Sequence, residues 1–168
     1  MKFCRYGSTA LRGGKCNKTA NLALESVLFM DIQIAVLCDA ATDYKGKLNL
    51  LGTFNSVYTR ELPANYPQCS IVLRVVFKRV EEGSHKLRIN FVDEDGKFVM
   101  PSIELPFEVN IPADDSFLYR NFILNIQRLK FEKFGQHAVD IAIDGRQEAS
   151  IPLEVKQLPG QQPDDDES

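Results

Sequence analysis

The sequence predicts an all-β fold, an antiparallel β-sandwich of about eight or nine strands in one domain over residues 30–157. Three observations carry this. Apolar residues recur with a period of two along most of the chain from Met30 to Gln157, as half-buried strands require. Turn signals interrupt the pattern every 8–12 residues or so, among them Asp95-Gly96 and Asp144-Gly145, the strongest short-range hairpin signal. No segment holds a sustained stripe at three- and four-residue spacing, and the connections are too short for helical crossovers, so pairing should be mainly antiparallel.

The elements follow in order. Ile32, Ile34, Val36 and Cys38 alternate with Gln33, Ala35 and Leu37; a turn is expected over CDAATDYKGK, and Leu48–Phe54 completes a hairpin. Val57–Leu62 reads as an extension of that second strand past a bend. PANYPQ, with two prolines, reads as a loop or edge crossing. Cys69–Val80 is a long β-branched strand, followed by a turn at Glu81–Ser84 and a strand over His85–Val92. There Leu87, Ile89 and Phe91 take one face, and Lys86, Arg88 and Asn90 the other. The next strand is expected at Lys97–Ile103, a short one through Phe107, Val109 and Ile111, and a longer one at Phe117–Leu129. Val139–Ile143 and Ala149–Val155 close the body, with Pro152 pointing to an edge position.

Hydrophobic residues are 44% of the 168 residues and charged residues 26%, which excludes collagen-like, coiled-coil and wholly disordered chains. No apolar run approaches the roughly 18 residues of a membrane span, so no membrane partner is expected. A net charge of −3 argues against a nucleic-acid binder that relies on a basic surface. The charge is uneven. Residues 1–29 hold Lys2, Arg5, Arg12, Lys15 and Lys18 against Glu25 alone. They lack strand alternation and a secretory apolar stretch, so Met30 reads as the physiological start and the basic head as an upstream extension. Residues 158–168 combine Pro, Gly and the acids Asp164–Glu167, which marks a disordered, solubilising acidic tail.

No catalytic constellation stands out. Cys4 and Cys16 lie in the head, and Cys38 and Cys69 in or beside strands, with no CxxC spacing for zinc; they read as free thiols, as a reducing cytoplasm favours. His85 and His137 each begin a strand beside a turn and read as exposed strand-end residues. GxSxG, HExxH and a phosphate-binding glycine loop are all missing from the sequence. Asp39, Asp43, Asp93, Glu94, Asp95, Asp114, Asp115 and Asp144 fall in turns, where acids are what tight turns prefer, though sandwich loops can also gather calcium oxygens. Arg74, Lys78, Arg79, Lys86, Arg88, Arg128, Lys130 and Lys133 read as a solvated sheet face, with Tyr58, Tyr66 and Tyr119 not interleaved among them as nucleic-acid stacking needs.

Three stretches resemble a family of short, uncharacterised bacterial proteins with a domain of unknown function: residues 30–58, the central LRVVFKRVEEGSHKLRINFVDEDGK at 73–97, and FGQHAVDIAIDGRQEASIPLEV at 134–155. The resemblance spans 30–156; its most specific parts are CDAA…GKLNLLGTF and DGR…IPL. It implies a cytoplasmic bacterial β-sandwich-like domain, and no activity, cofactor or catalytic residue.

The functional expectation is therefore a non-enzymatic binding or protein-interaction module with a protein partner and no cofactor or metal. Strand addition along 149–155 is one way to bind that partner. The alternatives are a calcium- or carbohydrate-binding sandwich on the acidic loops, and a hydrolase built from separate loops around Asp39, His85 and His137. The sequence sets no oligomeric state.

Overall fold

The structure, a computed structural model, describes residues 30–159. The expectations for the basic head and for the acidic run at 164–167 fall outside those residues. Among the described residues the chain is all-β apart from one 3-10 turn at Arg79–Glu81. Its nine strands are β1 (Asp31–Tyr44), β2 (Lys47–Phe54), β3 (Ser56–Thr59), β4 (Ala64–Lys78), β5 (Gly83–Asp93), β6 (Ile103–Val109), β7 (Phe117–Phe131), β8 (Gly135–Ile143) and β9 (Arg146–Gln157). They form two sheets, in the orders β2-β1-β4-β7 and β3-β9-β8-β5-β6.

The expected first hairpin is present, but its turn is far tighter than CDAATDYKGK. β1 runs on through Tyr44, and only Lys45 and Gly46 turn, both at positive φ, the signature of a two-residue hairpin loop whose twist matches its strands. Asp144-Gly145 joins β8 to β9 in the same way. Val57–Leu62 does not extend β2. After Asn55 the chain crosses to the other sheet as β3 and pairs parallel with β9, against the expected antiparallel rule.

All of PANYPQ after Pro63 is strand, not loop: Asn65, Tyr66 and Gln68 pair with Lys130, Leu129 and Gln127 of β7. Pro67 is tolerated because the residue facing it, Arg128, leaves the ladder with φ at 56°. The strand expected at Lys97–Ile103 is reduced to one bridge, Val92 to Phe98, and β6 begins at Ile103. Asp93 explains this. Its carboxylate takes the N–H groups of Asp95 and Lys97, and its backbone N–H donates to Lys97 O, so the loop is spent on closing itself. Pro152 does not lie on an outer strand, since β9 sits between β3 and β8. β3 covers only Glu154–Gln157, so the missing N–H of Pro152 falls beyond its reach. The same pairing occupies Glu154 and Val155, so the stretch 149–155 is not free along its whole length for an added strand. Leu158 is also tied down, donating its N–H to Thr59 O.

The core lies between the sheets. Leu73, Val75 and Phe77 of β4 are fully buried with Leu87, Ile89 and Phe91 of β5 and Val139, Ile141 and Ile143 of β8. Phe107 of β6 joins the two layers, 5.0 Å from Phe122 of β7 and 5.7 Å from Phe77, centroid to centroid. Burying each such ring is worth about 1.5–3 kcal/mol. Arg120 of β7 lies over the Phe107 ring and donates to Glu108 O, so β7 reaches across to the edge of β6. One of the two sheets curls into a half-barrel, and the β1–β2 tip reaches Arg74 of β4 and Asn121 of β7.

Candidate binding face

The two histidines are not exposed. His137 is 4% exposed, its Nδ1 against Gly135 O at 3.1 Å and its ring edge-on to Phe91 and Phe131. The side chain of His85 is 12% exposed and stacks on Phe107. Strand ends are not always surface: both rings fill gaps at the rims of the aromatic core. Nor do the two come together. His137 pairs with Asp93, eight residues along β5 from His85, which puts them roughly 26 Å apart. Asp39 belongs to β1 in the other sheet, where its carboxylate accepts a 3.4 Å bond from Tyr66 Oη.

His85 is held from both sides. Nδ1 lies 2.7 Å from Asp144 Oδ2 and Nε2 2.8 Å from Glu81 O. Burial pulls the imidazole pKa down, but the two acceptors outweigh it and the net shift is upward. Asp144 is pulled up by burial and down by His85, with the net shift downward. The geometry suits an imidazolium donating both protons, which leaves no ring nitrogen for proton abstraction.

The turn acids have partners within the fold. Asp43 accepts from Gly46 N at 2.8 Å, Asp144 from Lys86 N at 2.8 Å, and Asp95 pairs with Lys133. Among the described residues no three His, Cys, Asp or Glu side chains converge in a metal-holding group. Cys38 and Cys69 are free and buried, as expected. Burial, then the charges of Cys38 and Asp39, pushes the Cys69 thiol up to about 11. A hollow of about 120 Å³ beside His137 is ringed by Asp93, Lys97, Phe98, Lys130, Glu132 and Lys133. Its lysines are already paired with carboxylates.

One surface does bring side chains together without closing them off. Arg74 pairs with Asn121 across β4 and β7, and Val76 with Tyr119, so Arg74, Tyr119 and Asn121 share one face. The Arg74 guanidinium lies 4.5 Å from the Tyr119 ring centroid, and Phe117 packs edge-on to Tyr119 at 5.3 Å. Arg74 Nη1 donates to Asn121 Oδ1 at 3.0 Å and to Gly46 O at 3.3 Å. Asn121 Nδ2 in turn donates to Asp43 Oδ2 at 2.6 Å, which locks the β1–β2 tip in place. Tyr119 remains 43% exposed, Phe117 51% and Tyr44, at the tip, 64%. This corrects the expectation that the tyrosines and the basic residues do not meet. The signal missed is that Arg74 is the one charge inside the run IVLRVVF, on the face that Phe117 and Tyr119 also reach by alternation.

Among the solved structures, an alkylpurine DNA glycosylase (AlkC) of Pseudomonas fluorescens, bound to DNA with an abasic site analog, matches at 10% identity and a TM-score of 0.38. The match covers 76% of this chain and 30% of that one, so the chain spans under a third of that protein. At that score the likeness carries no argument about function. No curated protein matches the chain. The model of a family of unknown function, DUF6941, matches residues 33–156. That match takes in all of β2 to β8 and nearly all of β1 and β9, and the chain belongs to this family.

Proposed function

We propose that this chain is a non-enzymatic protein-binding module of the bacterial cytoplasm. In this reading its two sheets act as a sandwich-type scaffold, and its docking face is the Arg74–Tyr119–Phe117 stack. The observation that carries the reading is the stack itself: a planar cation and two rings held in fixed orientation yet open to solvent. Interface hot spots are rich in Tyr and Arg because such side chains bury large area and lose little freedom on binding. Here Asn121 and Gly46 O have already fixed Arg74, so less ordering remains to oppose binding.

The test is capture from the source cells with the full chain, wild type beside Tyr119→Ala and Arg74→Glu, read by quantitative mass spectrometry. The expected result is a stoichiometric protein that wild type retains and both variants lose, with all three chains folded by circular dichroism. Equal recovery by wild type and variants would remove this face from the proposal.

A further inference from the structure

Four strands lie at sheet edges: β2 and β7 in one sheet, β3 and β6 in the other. An edge strand offers unpaired N–H and C=O groups, and proteins that stay apart protect it by short length, charge, proline or a covering group. Three of the four edges are protected in this way. β3 has four residues. β6 carries Glu104, Pro106 and Glu108, and Arg120 covers the carbonyl of Glu108. β7 carries Arg120, Arg128 and Lys130, and Arg128 leaves the regular backbone.

β2 is different. Leu48 to Phe54 holds neither charge nor proline, and Leu51 is 69% exposed. Beside it lies an apolar hollow of about 360 Å³ lined by Ala40, Ala41, Thr42, Asn49, Leu50 and Leu51. The backbone directions follow from the hairpin. With Lys45 and Gly46 as a two-residue loop, Tyr44 and Lys47 form a hydrogen-bonded pair, and such pairs alternate along the ladder. Asn49 and Leu51 therefore bond to β1, and the N–H and C=O of Leu48 and Leu50 point away from it. At Gly52 φ turns to 64° and the regular edge ends. The open edge is Lys47–Leu51, symmetric about Asn49.

We propose that this edge pairs antiparallel with the β2 edge of a second copy of the chain, on a two-fold axis at Asn49. In that register Leu48 of each copy exchanges both backbone bonds with Leu50 of the other. The two leucines meet on one face, and the two Asn49 amides meet on the other. The Lys47 stem then lies along Leu51 of the second copy, covering its exposed side chain. No like charges are opposed, which is what a strand needs to pair with itself. Charge complements the pairing at its ends. Gly46, flanked by Lys45 and Lys47, comes opposite Gly52 of the second copy, and Asp39 lies over that glycine. The two four-stranded sheets would become one sheet of eight.

The measurement is sedimentation equilibrium of the full chain at micromolar concentrations. The expected mass is that of two chains. Leu50→Pro removes an N–H that β1 does not use, and Asn49→Lys places two like charges on the axis. Each is expected to give the mass of one chain wherever wild type gives two, with an unchanged circular dichroism spectrum. A wild-type chain that stays monomeric overturns the proposal, as does a dimer that survives Asn49→Lys. If Leu50→Pro alters the fold, Asn49→Lys decides alone, because Asn49 is an exposed side chain on an intact ladder.

Discussion

His85 Nδ1 and Asp144 Oδ2 are 2.7 Å apart, a bond between the start of β5 and the loop joining β8 to β9. The same carboxylate takes the N–H of Lys86 through Oδ1, and Asp144 N donates to Lys86 O. One side chain thus closes the end of the ladder, and the second nitrogen of His85 ties it to the 3-10 turn at Glu81 O. That turn in turn holds the loop before β7. Arg79 donates to Pro112 O at 2.8 Å and to Asp115 O, and Ile111 N donates to Glu82 Oε1 at 2.9 Å.

Stability should therefore depend on pH through this pair. The folded pKa of His85 is raised above the ordinary value of about 6.5. The contribution is fully present below that value and is lost as pH rises through the folded pKa. Asp144 is lowered, so its share is present above the ordinary carboxylate range and is lost as pH falls below it. Urea midpoints measured from slightly acid to slightly alkaline pH should decline with pH in wild type and stay flat in His85→Gln. Asp144→Asn should bring the His85 imidazole titration, followed by NMR, down in pH. A wild-type midpoint as flat as that of His85→Gln would sink the account.

Gly52 is fixed by two independent demands. Its φ of 64° disfavours a side chain, and an added Cβ would collide with the Asp39 carboxylate. Gly52→Ala should cost about 1–2 kcal/mol for the left-handed backbone alone, with the collision added to it. Gly46→Ala, at φ 77° with open space around it, should cost the backbone share only. In chemical denaturation, Asp39→Ala with Gly52→Ala should then lose less than the sum of the single variants. Additive losses would separate Asp39 from Gly52.

The legible part of this fold is what local pattern determines. Period-two alternation located the strands through Leu87, Ile89 and Phe91, and Asp144-Gly145 located its hairpin, because both depend on neighbours in sequence. The crossing at Asn55 was not legible. Val57 looks the same whether its strand continues beside β1 or moves to β9, and only the parallel pairing of Val57 with Val155 distinguishes the two. Pro67 misled for a related reason, since the partner that makes room for it lies some sixty residues further along the chain, at Arg128. The binding face was partly legible. Alternation puts Arg74 on one side of its strand, but its meeting with Tyr119 rests on the β4–β7 register.

The two described cysteines should be nearly inert. Cys69 is pushed up to about 11, and burial also raises Cys38, whose Sγ sits 3.8 Å from Ser70 O. The reactive species is the thiolate, so at about pH 8 its fraction at Cys69 falls on the order of 10²-fold below that of a free cysteine. In a Cys4→Ser, Cys16→Ser background, a disulfide reagent should leave the folded chain unmodified over minutes and titrate both thiols in denaturant. Fast modification of the folded chain would contradict the burial of this strand pair.

Arg74 and Tyr119 should couple in stability and separate in binding. A cation over an exposed ring is worth about 0.5–1 kcal/mol, so the cycle of Arg74→Ala, Tyr119→Ala and the double variant should show a coupling of that size. Arg74→Lys is a sharper probe, because it keeps the charge. A lysine ammonium is a point charge without the planar fork, so it cannot lie flat on Tyr119 while also reaching Asn121 Oδ1 and Gly46 O. If the face binds by its prearranged geometry, Arg74→Lys should lose the partner nearly as fully as Arg74→Glu, with the melting temperature little changed. If Arg74→Lys retains the partner, charge alone explains the recognition, and the stack is only structural.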